Sequence, residues 1–308
     1  MITTSAPRLS VVLTVVDGAE AVHECLRALA EQEGSPSLEV IVPWDDSVPG
    51  VGALRSEFGS VHFLAMGRIA TERPIGSPAG QHELYDRRRS AGLKAVRGDI
   101  VCILEDRGIP ERVWAAKVAR LHAELPHAVI GGAVECGIDA ALNWAVYFCD
   151  YGRYQLPLDA GPREYVTDVN IAYKRRALER VRELWAERYH ETTVHWQLAR
   201  AGETLWLTPD FVVWQRRRGL SVASILRERV EWGRLFAYTR VKEASAPKRV
   251  TYVLMALVLP VVLLLRHGRM QAEKRVHFRR FLAVSPLVAL FLAAWSLGEL
   301  LGYVTGRP

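Results

Sequence analysis

The stretch "RRSAGLKAVRGDIVCILEDRGIPERVW", residues 88–114, holds the organisation of the chain in miniature. It closes the helical run "LYDRRRSAGLKAV" (residues 84–96), turns at Arg97-Gly98-Asp99, and enters an apolar run, Ile100 to Leu104, that ends on Glu105-Asp106-Arg107. A helix feeding a strand that is apolar on both faces predicts a strand buried in a mostly parallel sheet with helices on each side. Two carboxylates at the end of such a strand point to a cation or a phosphate, and they raise the question of what an arginine does beside them.

The same alternation repeats on the N-terminal side. "LSVVLTVV" (residues 9–16) is a strand, Asp17-Gly18 a polar turn, and "AEAVHECLRALAEQ" a helix with apolar Val22, Cys25, Leu26 and Leu29 on one face. "SLEVIVPWDDS" supplies a second strand ending in Asp45-Asp46, and "VHFLAMG" a short third. Strands alternating with helices define an α/β domain of Rossmann-like type. Ligands of such sheets lie beyond the carboxyl ends of the strands, and Asp17, Asp45, Asp46, Glu105 and Asp106 all fall there. Carboxylates in that place also serve as ordinary helix caps and turn formers, but their recurrence after three strands favours a site.

The chain has 308 residues, half of them hydrophobic, with 40 Lys and Arg against 34 Asp and Glu, enough for one large α/β domain and an appendage. Cys25, Cys102, Cys136 and Cys149 are irregularly spaced with no CxxC pair, which predicts buried thiols in a reducing compartment. "MITTSAPRLS" lacks the charged start and apolar core of a signal peptide, so the body is expected in the cytoplasm.

Beyond residue 215 the composition changes. "QRRRGLSVASILRERVEWGRLFAYTRVKEASAPKRV" interleaves Arg and Lys with apolar residues, as an amphipathic helix at a membrane surface does. Two apolar segments follow, Thr251 to Leu265 and Phe281 to Tyr303, separated by the basic "RHGRMQAEKRVHFRR". The second is long enough to span a bilayer; the first is short and contains Pro260. Two full crossings would place the basic linker opposite the body, against the positive-inside tendency, so the first is expected to be re-entrant or interfacial. The basic stretches flank apolar segments and carry no zinc-finger or RNA-binding signature, which speaks for lipid and against nucleic acid. The reading divides the chain into an α/β body (1–215), a basic amphipathic interfacial segment (216–249) and a membrane-embedded hairpin (250–308).

There is no GxxxxGK[ST] loop, and "GVG" at Gly50 to Gly52 lacks the third glycine of a dinucleotide fingerprint. Across most of residues 8–240 the chain instead resembles the glycosyltransferases of family 2, with their GT-A fold, and in particular membrane-associated bacterial-type members. "RRSAGLKAVRGDIVCILEDRGIPERVW" is similar to the family's Arg-Asn-Ala-Gly-Leu segment, its Arg/Lys-Gly-Asp turn, its Asp-x-Asp motif and the Pro and Trp that follow. "EVIVPWDDS" resembles a strand ending in Asp-Asp-Gly-Ser whose acidic residue reads the base. "VIGGAVE" and "TDVNIAYKRRAL" resemble segments beside sugar and acceptor, and "WAERYHETTVHWQLARAGETLWLTPDFVVW" has the rhythm of the helix bearing the family's Glu-Asp.

This resemblance implies a UDP-sugar or other nucleotide-sugar donor near Asp17, Asp45, Asp46 and Arg89, and a diphosphate or metal site at Glu105, Asp106 and Arg107. It places sugar or acceptor at Asn170 and general-base catalysis on Glu191, with His190 beside it. Mg²⁺ or Mn²⁺ would sit on Glu105 and Asp106. Arg107 stands where the family has an aspartate that reaches the cation, which leaves three readings: the metal is retained, Arg107 replaces it at the diphosphate, or Arg107 pairs with Asp106 structurally. Arg87 and Arg88 are read as one exposed face of a basic helix. The activity implied is inverting transfer to a lipid-linked or glycan acceptor at the cytoplasmic face of the membrane. A degenerate membrane-bound scaffold and a nucleotidyltransferase are the alternatives.

Overall fold

Apolar runs and amphipathic helices alternate in the computed structural model as they do in the sequence. It describes residues 8–241 and 244–307; residues 1–7, 242–243 and 308 of the predicted segments lie outside the described residues. In chain order the elements begin β1 (Leu9–Thr14), α1 (Ala19–Ala30), β2 (Leu38–Trp44), β3 (His62–Ala65), α2 (Pro78–Ala95) and β4 (Ile100–Glu105). There follow β5 (Gly108–Pro110), α3 (Trp114–Glu124), β6 (Val129–Cys136), α4 (Ala141–Asp150), β7 (Gly161–Pro162) and β8 (Asn170–Lys174). Short α5 (Arg175–Arg180) and α6 (Arg182–Trp185) lead to α7 (Glu191–Arg200) and β9 (Leu205–Gln215), and the chain closes with α8 (Val222–Val241), α9 (Ala246–Lys274) and α10 (Phe278–Thr305).

Two compact units result. The first comprises Met1–Thr71, His82–Gly137 and Leu158–Arg216. Its sheet runs β3-β2-β1-β4-β8-β6-β9-β5, with β7 on β9. The strands β3, β2, β1 and β4 are mutually parallel, as the sequence predicts. Beyond β4 the sheet is mixed: β8 is antiparallel to both β4 and β6, whereas β9 runs parallel to β6. Every residue of β1 and of β4 is buried, and Val22, Cys25, Leu26 and Leu29 of α1 pack into the same core as Val11, Leu13, Cys102 and Leu104. Among the described residues no disulfide joins any of the four cysteines, and Cys25 and Cys102 are buried.

Register sets the position of the site. Leu9 pairs with Ile100 and Thr14 with Glu105, so β1 and β4 end level, with Asp17 and Asp106 just beyond. Because β8 is antiparallel and pairs Asn170 with Leu104, its start lies at that same end. The turn before β4 is a structural device: Gly98 donates its N–H to Ser10 Oγ at 2.7 Å, and Arg97 Nε donates to Glu39 at 2.6 Å. A Cβ on Gly98 would come within 2.7 Å of the Ser10 nitrogen.

The second unit comprises Glu72–Gln81, Ile138–Pro157 and Arg217–Pro308, so α4 belongs with the C-terminal helices and the body drawn at 1–215 is discontinuous. Its helix α9 corrects the expectation of a short first apolar segment: it is one 29-residue helix with Pro260 inside it, about 43 Å long at 1.5 Å per residue. Proline removes one backbone bond, and the helix continues through it. By length and composition α9 and the 28-residue α10 could each cross a membrane. Helix α8 packs against α10 through small residues. Gly233 and Ala237 are set against Gly298 and Gly302 of α10, so that a Cβ on Gly298 would lie 2.1 Å from the Val230 carbonyl oxygen. Gly298-x-x-x-Gly302 is a small-residue ridge that lets two backbones touch.

Gly298→Val is therefore expected to separate α8 from α10, costing at least ~1–3 kcal/mol as overpacking does, visible as a lowered unfolding midpoint of the detergent-solubilised protein. Val at the lipid-length position Leu297, which is exposed, leaves the midpoint unchanged.

Candidate active site

A strand that ends in carboxylates must neutralise them, and the first unit does so with two arginines of α2. Arg89 is buried at 3% exposure. Its Nη2 lies 2.9 Å from Glu105 Oε1 and 2.8 Å from Asp168 Oδ2, its Nη1 lies 3.6 Å from Asp86, and its Nε donates to Thr14 Oγ1 at 3.2 Å. Burial pulls its pKa down, but Asp168, Glu105 and Asp86 more than reverse that. Arg88, fully buried, donates from Nε to Asp45 at 2.6 Å and from Nη2 to Ser47 Oγ at 2.9 Å, and from Nη1 to the Val15 carbonyl. It is no part of an exposed basic face: it ties the loop after β1 to the end of β2. Burial raises the pKa of Asp45, and the hydrogen bonds from Arg88 and Ser47 outweigh it, leaving the carboxyl below its usual range.

Asp45 and Asp46 thus part company. Asp45 is 2% exposed and already partnered, while Asp46 faces solvent. Asp106 is likewise committed: its Oδ2 accepts the N–H groups of Val16, Asp17 and Gly18 at 2.9, 2.9 and 3.0 Å. It clamps the loop into α1. Arg107 does not pair with Asp106; its Nη2 reaches Asp17 Oδ1 at 2.6 Å, and the pair is 18% and 21% exposed at the mouth. Burial lowers the pKa of Arg107 and Asp17 with Glu105 raises it further, so the charge is permanent. The ring of Tyr85 stands among Arg107, Glu105, Arg88 and Asp17.

Glu191 opens α7, and Asp168 precedes β8. The Asp168 backbone N–H donates to Glu191 Oε2 at 3.3 Å, and burial, then the neighbouring Asp168 carboxylate, hold the Glu191 pKa well above the usual range. One turn along α7, His195 Nδ1 lies 3.8 Å from Glu191 Oε1. The other nitrogen of His195 meets Tyr173 OH at 2.7 Å, and Tyr173 meets Tyr189 OH at 2.5 Å. Burial lowers the His195 pKa to about 4, so the imidazole is neutral. His190 is exposed and turns Nδ1 to Thr193 Oγ1 at 3.1 Å. Asn170 is fully buried: it accepts from Trp114 Nε1 at 2.9 Å and donates to the Ala133 carbonyl at 2.8 Å.

The structure therefore brings Asp17, Arg89, Glu105, Asp106, Arg107 and Glu191 to one end of the sheet, with Asp45 beneath and Asp46 at the rim, and uses Asn170 as packing. Sequence reading missed Asp168, Asp86, His195 and the burial of Arg88. The i, i+4 spacing of Glu191 and His195 was a readable signal for one of them.

Do these groups fit a resident divalent cation? Glu105 is engaged by Arg89 and, at 3.4 Å, by Gln215, and one oxygen of Asp106 holds three N–H groups; its Oδ1 alone is buried without a partner. Among the described residues no group of three His, Cys, Asp or Glu side chains is arranged to hold a metal. As placed, the donors do not form a cation site, and Arg107 already brings a fixed positive charge there.

No family model and no curated protein matches the chain. Among solved structures, the mannosyltransferase PcManGT from Pyrobaculum calidifontis, in complex with GDP-Man and Mn²⁺, aligns over 98% of this chain and 87% of that one, at 17% identity with a TM-score of 0.51. TarS 1–349 of S. aureus in complex with UDP-GlcNAc aligns over 97% and 92%, at 13% identity with a TM-score of 0.48. The chain thus shares the fold of this mannosyltransferase, an α/β fold of GT-A type.

Two outcomes follow for stability. Arg88→Met strands buried Asp45 and is expected to cost ~3–5 kcal/mol in denaturant unfolding, as breaking a buried pair does. Because the folded protein raises the Glu191 pKa, the stability linked to its protonated form is full below about pH 4.3 and is lost as pH rises through the raised value. Glu191→Gln should unfold at a higher temperature than the parent at pH 8 and at the same temperature near pH 4.

Proposed function

We propose that the chain is an inverting glycosyltransferase that moves a sugar from a nucleotide-sugar donor, a UDP-sugar in the favoured case, to a lipid-linked or glycan acceptor at the cytoplasmic face of the membrane. The observation that carries this reading is the unbroken run Glu191, Asp168, Arg89, Glu105, which links a proton-accepting carboxyl to the strand end beside Arg107. The α9 and α10 helices, long and apolar, support attachment to a membrane.

In this reading Glu191 takes the proton of the acceptor hydroxyl while the acceptor oxygen attacks the sugar carbon and the bond to the diphosphate breaks. A carboxyl with a raised pKa is a stronger base than an exposed glutamate, and burial, then the neighbouring Asp168, supply the rise. His195, neutral and bonded to Tyr173, lies beside Glu191, its Nδ1 at 3.8 Å from Oε1. Arg107 meets the departing diphosphate with two donors in a fixed plane, releasing Asp17 to do so. Arg89 positions Glu105 and Asp168 from below, and exposed Asp46, rather than Asp45, faces the base. Asp106 acts through the loop that it fixes, and no step here runs through Mg²⁺ or Mn²⁺.

Equilibrium binding of UDP, GDP, CDP and dTDP to the detergent-solubilised protein, with Mn²⁺ or with EDTA, tests the donor half. UDP binding that survives EDTA and drops at least tenfold in Arg107→Gln is the expected result. Collapse in EDTA would instead assign the diphosphate to a cation reaching Asp106 Oδ1, and binding of none of the four would leave a scaffold. For the chemical half, Glu191→Gln should lose ~10²–10⁴ in kcat while keeping UDP affinity. The rate should rise with pH through the raised Glu191 pKa. Asp168→Asn removes the negative neighbour, so that limb of the profile moves to lower pH.

A further inference from the structure

Within the second unit, α8, α9, α10 and the end of α4 enclose a cavity of about 650 Å³, within the ~300–1,000 Å³ of small-molecule sites. Its long wall is apolar, with Met255, Leu259 and Leu263 of α9 opposite Phe291, Leu292 and Trp295 of α10. Its ends are not. Four arginines line it, Arg153, Arg229, Arg240 and Arg266, against two carboxylates, Asp150 and Glu299.

The two ends differ in how their charges are met. At the Tyr252 end Arg240 is satisfied: it donates to Tyr303 OH at 3.2 Å, lies over the rings of Phe236 and Tyr252, and Glu299 accepts from Trp295 and Tyr303. At the other end, marked by His267 fifteen residues along α9 from Tyr252, a rise of about 22 Å, Arg229 of α8 takes both oxygens of Asp150 at 2.6 and 2.8 Å. That leaves Arg153 and Arg266 with no carboxylate partner among the described residues. Two polar atoms are orphaned there as well: the donor Arg229 Nε and the ring nitrogen His267 Nδ1 are buried with no hydrogen-bond partner among the described residues. Arg229 is itself 8% exposed.

The placement along the helix is that of an amphiphile. Arg266 and His267 follow directly on the apolar run of α9, whose outward residues Leu254, Leu257, Val258, Val261, Val262 and Leu265 are exposed. In a bilayer the boundary between such a run and a basic linker lies at headgroup depth, and polybasic groups there attract anionic lipid. We propose that this cavity is a binding site for one anionic membrane phospholipid, its phosphate held by Arg153, Arg266 and Arg229 and an acyl chain laid along Leu263, Leu259 and Met255. The site rests on the membrane reading of α9 and α10 and is independent of sugar transfer.

The test uses the full-length protein in a non-ionic detergent, with native mass spectrometry and thermal unfolding as readouts. Dioleoyl-phosphatidylglycerol, dioleoyl-phosphatidylcholine and inorganic phosphate are added separately, and flotation with mixed vesicles of both lipids is run alongside. Expected are a retained one-to-one phosphatidylglycerol adduct with a raised midpoint, little retention of phosphatidylcholine, and no effect of inorganic phosphate. The double variant Arg153→Gln/Arg266→Gln should lose the adduct at least tenfold, while Arg279→Gln, an exposed charge of the same linker, keeps it. Equal retention of the two lipids, an unchanged double variant, or a midpoint raised equally by phosphate overturns the site. A chain that floats yet shows any of these leaves the membrane reading standing; one that does not float overturns both.

Discussion

The contact on which the first unit depends is a single guanidinium shared among carboxylates. Arg89 stands between Glu105 at the end of β4, Asp168 at the entry to β8 and Asp86 on its own helix. At the edge of this network, burial and then the adjoining Asp168 carboxylate raise the pKa of Glu191, which holds its proton more tightly than an isolated carboxyl does. Removing charges from water is expensive, and a folded chain tolerates the expense where the arrangement fixes something useful. Here it fixes the relative place of three segments far apart in sequence: α2, the end of β4 and the start of β8.

The second unit solves the opposite problem. Its long helices have an excess of apolar surface, and α8 and α10 gain close contact through glycines instead of interlocking large side chains. Large residues are thereby left to line the cavity and the outer face of α9. Polar groups inside this unit are met in pairs, Arg229 with Asp150 and Glu299 with Tyr303, while Arg229 Nε and His267 Nδ1 at one end of the cavity are among the buried polar atoms that have no partner among the described residues.

How much of this was legible beforehand follows from what kind of signal each residue gives. The parallel strands and their terminal carboxylates were legible because burial on both faces leaves continuous apolar runs, and the carboxylates interrupt them at one end. Asp168 was hidden by the same logic. A search of strand C-termini passes over a carboxylate at a strand N-terminus, and only an antiparallel β8 brings that N-terminus to the ligand end. Arg88 and Arg89 are neighbours in a run of three arginines, and nothing in the run distinguishes side chains that point inward to Asp45 and Glu105 from those that point to solvent. The burial of Asn170 was hidden for a related reason: its amide suits a sugar as well as it suits Trp114 and the Ala133 carbonyl. The length of α9 was underestimated because polar residues flank its apolar centre, and a helix does not stop where hydrophobicity does.

The clamp formed by Asp106 has one more effect. In many α/β proteins the loop between the first strand and the first helix offers its backbone N–H groups to a phosphate. In this chain the N–H groups of Val16, Asp17 and Gly18 all point inward to one carboxylate oxygen. An anion at this end of the sheet is left to the tips of long side chains near solvent. Its hold is then of the kind that dissolved salt weakens, since screening acts on exposed charges far more than on buried dipoles.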